Sequence, residues 1–140
     1  MSVASLRSTI CTHEGSIDDL YREISDLKKE MDTVLEAKSV TNQKENEFLH
    51  YIHQEQALAT KVGANDQVKL AVGFGNHMNS LLTGSKYREA ISSIEGIKRV
   101  LKKRESDIEA RIMQCKRKIQ IHQDSIQRLI HQISRLSEVK

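Results

Sequence analysis

IEARIMQCKRKIQIHQDSIQRLIHQISRL, the stretch from Ile108 to Leu136, decides the fold. Ile108, Cys115, His122, Leu129 and Leu136 recur every seven residues, and Ile94 and Leu101 extend that column upstream. Ile112, Ile119, Ile126 and Ile133 form a second column between them. The combined 4-3-4-3 spacing is the seam of an α-helix that packs along its length against other helices. Neither Pro nor Gly follows Gly96, so nothing in the chain stops the helix. A helix from Lys86 to Ser137 would be roughly 75–80 Å long. Such an element cannot bury its seam alone.

Composition agrees with long helices. Pro and Trp are absent from the 140 residues, aromatics are 4% and charged residues 29%. Pro breaks helices, and a chain this charged and poor in aromatics suits helix-on-helix packing better than a sheet or a pocket enzyme. The formal net charge of +3 is too small to imply nucleic acid. Cys11 and Cys115 are far apart and form no CxxC pair, which argues against a zinc or redox site. Cys115 stands in the seam, where it reads as a small buried hydrophobe. The first sixteen residues lack the apolar core of a secretory signal, and no run reaches the length of a membrane span. These features predict a soluble cytoplasmic product, with export by a route without a cleaved signal left open.

A second seam lies upstream. Ile17, Leu20, Ile24, Leu27, Met31 and Val34 follow a 3-4-3-4-3 spacing. Residues 1–15 carry no clear period, end in a glycine and read as flexible or as a short helix that orders on binding; Ser16 then reads as the helix cap, with Asp18 and Asp19 at the positive end. The first helix is expected over residues 16–60. Polar Thr41 to Glu47 interrupts its pattern and predicts a kink or register slip near residues 40–46. Phe48, Tyr51, Ile52 and Leu58 restore an apolar face.

Residues 61–85 hold Gly63, Gly73, Gly75 and Gly84 and read as a connector. Asn65 and Asp66 offer a cap for a short helix through Val68 and Val72, which Gly73-Phe74-Gly75 is expected to end or bend. Gly73 and Gly75 lack the third glycine, the Lys-Ser/Thr and the preceding strand of a phosphate loop. Leu82-Thr83-Gly84 closes the connector, and residues 86–138 form the second long helix. The expected architecture is all-α: one domain made of a long, coiled-coil-like antiparallel hairpin with a Gly-containing connector.

Charge supports that pairing. Asp18 to Glu47 holds nine acids against five bases, whereas Lys98 to Lys118 holds nine bases against three acids. An acidic arm beside a basic arm sets orientation more than stability. The basic run does not form one helical stripe and has no interleaved aromatics, so it reads as a solvated face rather than a nucleic-acid site.

Chemical sites are sparse. Glu47, His50 and His53 stand at i, i+3 and i+6 and could meet one metal, but the chain has no second ExxH and no HExxH. They read as a polar face. His122, inside the seam, reads as a polar residue that sets register, and its charging in mild acid is expected to loosen the seam. GxSxG, a Cys–His signature and paired carboxylates in a cleft are all missing, and the chain reads as non-catalytic with no cofactor.

Three places resemble a known type. Ser16-Ile17-Asp18-Asp19 through Ser25-Asp26-Leu27-Lys28-Lys29 is similar to the first-helix opening of small bacterial WXG-like proteins. Leu82-Thr83-Gly84-Ser85-Lys86-Tyr87 resembles their Trp-Thr-Gly-x-Lys turn, with Leu82 in the Trp place. The Ile-rich end from Ile108 resembles their last helix. The chain most resembles the longer YwqH-like members encoded beside LXG toxins of type VII secretion. That resemblance implies a partner that binds the helical N-terminal domain of an LXG effector and stabilises or targets it. It has no export signal of its own in the tail. The implied contact surface is the two seams: Ile17, Leu20, Ile24, Leu27, Met31 and Val34, with Ile108, Ile112, Cys115, Ile119, Ile126, Leu129, Ile133 and Leu136. Self-association and other small helical partners fit the same surface. A general coiled-coil scaffold or a prefoldin-like chaperone subunit is the alternative, although the connector lacks the period-two alternation of prefoldin strands.

Overall fold

A computed structural model describes residues 2–64 and 69–138. Among these residues the fold is all-helical, with α1 (Val3–Gly63), α2 (Lys69–Thr83) and α3 (Ser85–Glu138) and no strand. None of these helices is long and apolar enough to cross a membrane. Contacts gather the chain into two units: Met1–Thr33 with Arg104–Lys140 (unit 1), and Val34–Lys103 (unit 2).

α1 starts at Val3, thirteen residues before the expected cap at Ser16. The cap is Ser2, whose Oγ accepts a hydrogen bond from the Ser5 N–H at 3.1 Å. The helix runs on through Gly15 because what precedes it has a burial partner: Leu6 is 1% exposed. Burying a Leu is worth ~1.5–3 kcal/mol, more than the ~1 kcal/mol that a mid-helix Gly costs. Residues 3–15, read as flexible or as a short helix that orders on binding, are thus helical and continuous with the rest of α1.

The polar stretch from Thr41 to Glu47 does not interrupt α1 either. The Thr41 hydroxyl donates to the Ala37 carbonyl at 2.7 Å, and Glu47 accepts from Lys44 at 3.2 Å and from Gln43 at 3.3 Å. Side-chain pairs three and four residues apart support a helix that has little apolar surface to bury.

α2 fills much of the expected connector. Asn65, Asp66 and Val68, the proposed cap and first turn, lie outside the described residues. Gly73-Phe74-Gly75 does not end the helix, which continues to Thr83. Gly75 is there for proximity. A Cβ on it would lie 2.6 Å from the Ala59 carbonyl oxygen and 2.8 Å from Gly63 Cα, so the α1 and α2 backbones touch. Gly84 separates α2 from α3, and a Cβ there would stand 2.7 Å from the Ser80 carbonyl oxygen. The Gly84 carbonyl accepts the Arg88 N–H at 3.1 Å, which opens α3. The Ser80 carbonyl leaves no room for a side chain at this break between the helices.

Buried apolar side chains mark where each unit is packed. In unit 1 they are Leu6, Ile24, Leu27, Ile108, Cys115 and Ile119; in unit 2 they are Val34, Ile52 and Ala59.

Candidate interaction surface

Unit 1 brings α1 and α3 together along the two seams. His13 and His122 meet through their Nδ1 atoms at 2.8 Å. Arg111 donates to Glu23 at 3.0 Å, and Arg104 donates to Glu30. As residue numbers rise along α1, those of their partners fall along α3. Unit 2 repeats the pattern: Lys98 donates to Glu45 at 3.0 Å, and Phe48 stacks on Tyr87 with ring centroids 6.1 Å apart. Three acids of the acidic arm therefore meet three bases of the basic arm. Glu23–Arg111 and Glu30–Arg104 are well exposed and worth only ~0.2–1 kcal/mol each, so they fix register rather than hold the helices together.

The predicted seam residues fall into three classes. Ile24, Leu27, Val34, Ile108, Cys115 and Ile119 are buried. Ile17, Leu20, Met31, Ile112, Ile126, Leu129 and Ile133 are half-buried, and Leu136 is exposed. The buried members are already covered within the chain and do not form a free docking stripe. Leu82 and Gly84 of the turn motif are half-buried and Thr83 is exposed, its hydroxyl donating to the Asn79 carbonyl at 2.7 Å.

Among the described residues, Cys115 has a displaced titration. Burial pushes its thiol up, and the neighbouring Glu23 carboxylate adds to the effect by charge and by accepting a hydrogen bond. Lys118 and Arg111 pull weakly the other way. A thiol held neutral is a poor nucleophile, so Cys115 is a packing residue. Cys11 is exposed.

The metal-ligand spacing of helix one yields no built site. His50 and His53 are exposed, and Glu47 is held by Lys44 and Gln43. No group of three or more potential metal ligands converges among the described residues.

Sequence reasoning missed Leu6, Ile10 and His13. Their signal was legible: Leu6, Ile10, His13, Ile17 and Leu20 continue the 4-3-4-3 spacing of the seam upstream through Gly15. It also missed the two faces of α2. Ala71, Gly75, Met78 and Leu82 are buried or half-buried, and Leu70, Phe74, His77 and Leu81 are exposed. Both sets share a 4-3-4 spacing, and residues so spaced lie along one side of a helix. Leu70 is 83% exposed. Leu70 and Phe74 also line an apolar depression together with Val62, Lys69, Ala71 and Gly73. Tyr51 and Leu58 on α1, and Ile97 and Val100 on α3, are further large apolar residues of unit 2 left in solvent. No family model, curated protein or solved structure matches the chain.

Proposed function

We propose that this chain is a non-catalytic helical partner of an LXG-type effector of type VII secretion, folded as an antiparallel hairpin of α1 and α3. The opposed numbering of the His13–His122, Glu23–Arg111, Glu30–Arg104 and Glu45–Lys98 pairs supports the antiparallel course. The resemblance of Ser16 to Lys29 and of Leu82 to Tyr87 to WXG-like proteins supports the choice of partner.

The observation that carries the reading is the outer face of α2. Leu70, Phe74 and Leu81 leave at least half of their area in solvent at seam spacing. An apolar helical stripe without a cover is the usual landing place of a second amphipathic helix. The proposed mechanism is packing: the effector's long N-terminal helices cover this stripe, at ~1.5–3 kcal/mol per fully buried side chain. The seams act as the frame that presents it.

The test is a tagged pull-down from the native cells at high salt, with the recovered proteins identified by mass spectrometry. Recovery of a long LXG-type toxin, lost on Phe74→Asp or Leu70→Asp while the circular-dichroism melt stays unchanged, supports the proposal. Recovery of the chain alone, or of many unrelated unfolded clients, overturns it in favour of a general coiled-coil scaffold or chaperone subunit.

A further inference from the structure

The unit 1 seam is interrupted by one polar layer. His13 sits between Ile10 and Ile17 on α1, and His122 between Ile119 and Ile126 on α3. Both imidazoles are half-buried. Their Nδ1 atoms are 2.8 Å apart, their ring centroids 5.0 Å apart and their planes 55° apart. The centroid separation is close to the nitrogen separation plus the two ring radii, the largest value it can take, so the rings meet head to head. That alignment suits a shared N–H···N hydrogen bond. It does not suit chelation, for which both lone pairs would have to turn toward a third point.

We propose that His13 and His122 form a proton-gated clasp: it closes this layer of unit 1 while the pair carries at most one extra proton, and it opens when both rings are charged. In the neutral pair one ring donates Nδ1–H and the other accepts at Nδ1, each ring carrying a single proton. The first added proton binds the donor ring at its free Nε2. The donor becomes an imidazolium, and the hydrogen bond persists as a charge-assisted one. The second proton has only the acceptor's Nδ1 to bind. It removes the acceptor and sets two N–H groups and two positive charges face to face in a half-buried layer.

Nothing within a turn of the pair compensates that second charge. Glu14 is the charged residue within four positions of His13, and Lys118 and Asp124 are those within four of His122. Glu14 is exposed, Asp124 accepts from Gln120 at 2.9 Å on the outside of α3, and Lys118 adds positive charge. Closing the layer on a doubly charged pair would set like charges and two donors face to face, so the clasp is expected to weaken in acid. Opening would uncover Ile10, Ile17, Ile119 and Ile126, the kind of surface an amphipathic partner helix covers.

The experiment compares the full chain with a His13→Leu/His122→Leu variant by thermal melting and amide hydrogen exchange at about pH 7.5 and about pH 5. The expected result is a melting temperature that falls in acid by at least ~4 °C more in the natural chain than in the variant. Acid-accelerated exchange should centre on residues 10–17 and 119–126. Equal falls in both proteins, or acceleration confined to other regions, would overturn the clasp. Should the variant not fold, an NMR titration of the natural chain's imidazoles decides. Two separate protonation steps, with faster exchange in this layer tracking the second, support the clasp. Simultaneous protonation of both rings without any change in exchange refutes it.

Discussion

Gly75 on α2 lies so close to Ala59 on α1 that a Cβ built on it would stand 2.6 Å from the Ala59 carbonyl oxygen. The obstacle is helical backbone, which cannot swing aside as a side chain would. Gly75→Ala should therefore lower stability by ~1–3 kcal/mol, as overpacking does in other tight contacts. Gly63→Ala is the control. Its Cβ would meet Gly75 Cα at 3.6 Å, an ordinary contact, and the change should be close to neutral. Paired urea melts check both, and a Gly75→Ala protein as stable as the parent would mean that α1 and α2 are not in backbone contact.

Ile108 is fully buried, whereas Leu136, at the end of the same seam, is 40% exposed. Ile108→Ala should cost ~2–5 kcal/mol through lost burial and the cavity left behind. Leu136→Ala should fall within about 0.5 kcal/mol of the parent. Matching denaturation curves for the two variants would contradict the burial gradient along α3.

The two cysteines should behave as different reagents. At neutral pH a thiol-specific probe should modify exposed Cys11 quickly and Cys115 at least ~10-fold more slowly, since Cys115 reacts only when unit 1 opens. The pH dependence has a definite sign. The folded Cys115 thiol is raised by burial first and Glu23 second. Its stabilising share is complete below the unfolded thiol's range and is lost as pH rises above it, because the unfolded chain then releases the proton first. The alkaline slope of stability should flatten in Cys115→Ala, measured as melting temperature against pH. An unchanged slope would show that Cys115 does not carry it.

Gly15 lies inside α1, and a Cβ on it meets nothing within 4 Å. Gly15→Ala should stabilise the chain by ~0.5–1 kcal/mol, the helical preference of Ala over Gly at a solvent-facing position. A loss of stability would mean that residues 3–15 are not helical in solution, and that Ser16 is the cap after all.

The helices were legible in the sequence because a heptad pattern is local. Ile17 to Val34 and Ile108 to Leu136 each announce their buried side by spacing alone, and of the fourteen named seam residues Leu136 alone is exposed. The acidic run and the basic run pointed to contact between the two arms; that Glu23, Glu30 and Glu45 meet Arg111, Arg104 and Lys98 came from the tertiary structure. Breaks were harder to read. Gly15 and Gly73 look like stops to a local rule, yet the helix continues wherever burial elsewhere outweighs the cost of a glycine, as it does at Leu6.

By itself the sequence determined that this protein is helical and which sides of its helices are apolar, since both follow from residue spacing and the absence of Pro. Only the tertiary structure decided which apolar sides remain uncovered. It buried Ile24, Leu27, Ile108 and Ile119, left Leu70, Phe74 and Leu81 in solvent, and set His13 against His122 across 109 positions of chain. Spacing reports which residues share a face of one helix. What lies opposite that face depends on how distant segments meet, and no local pattern encodes that meeting.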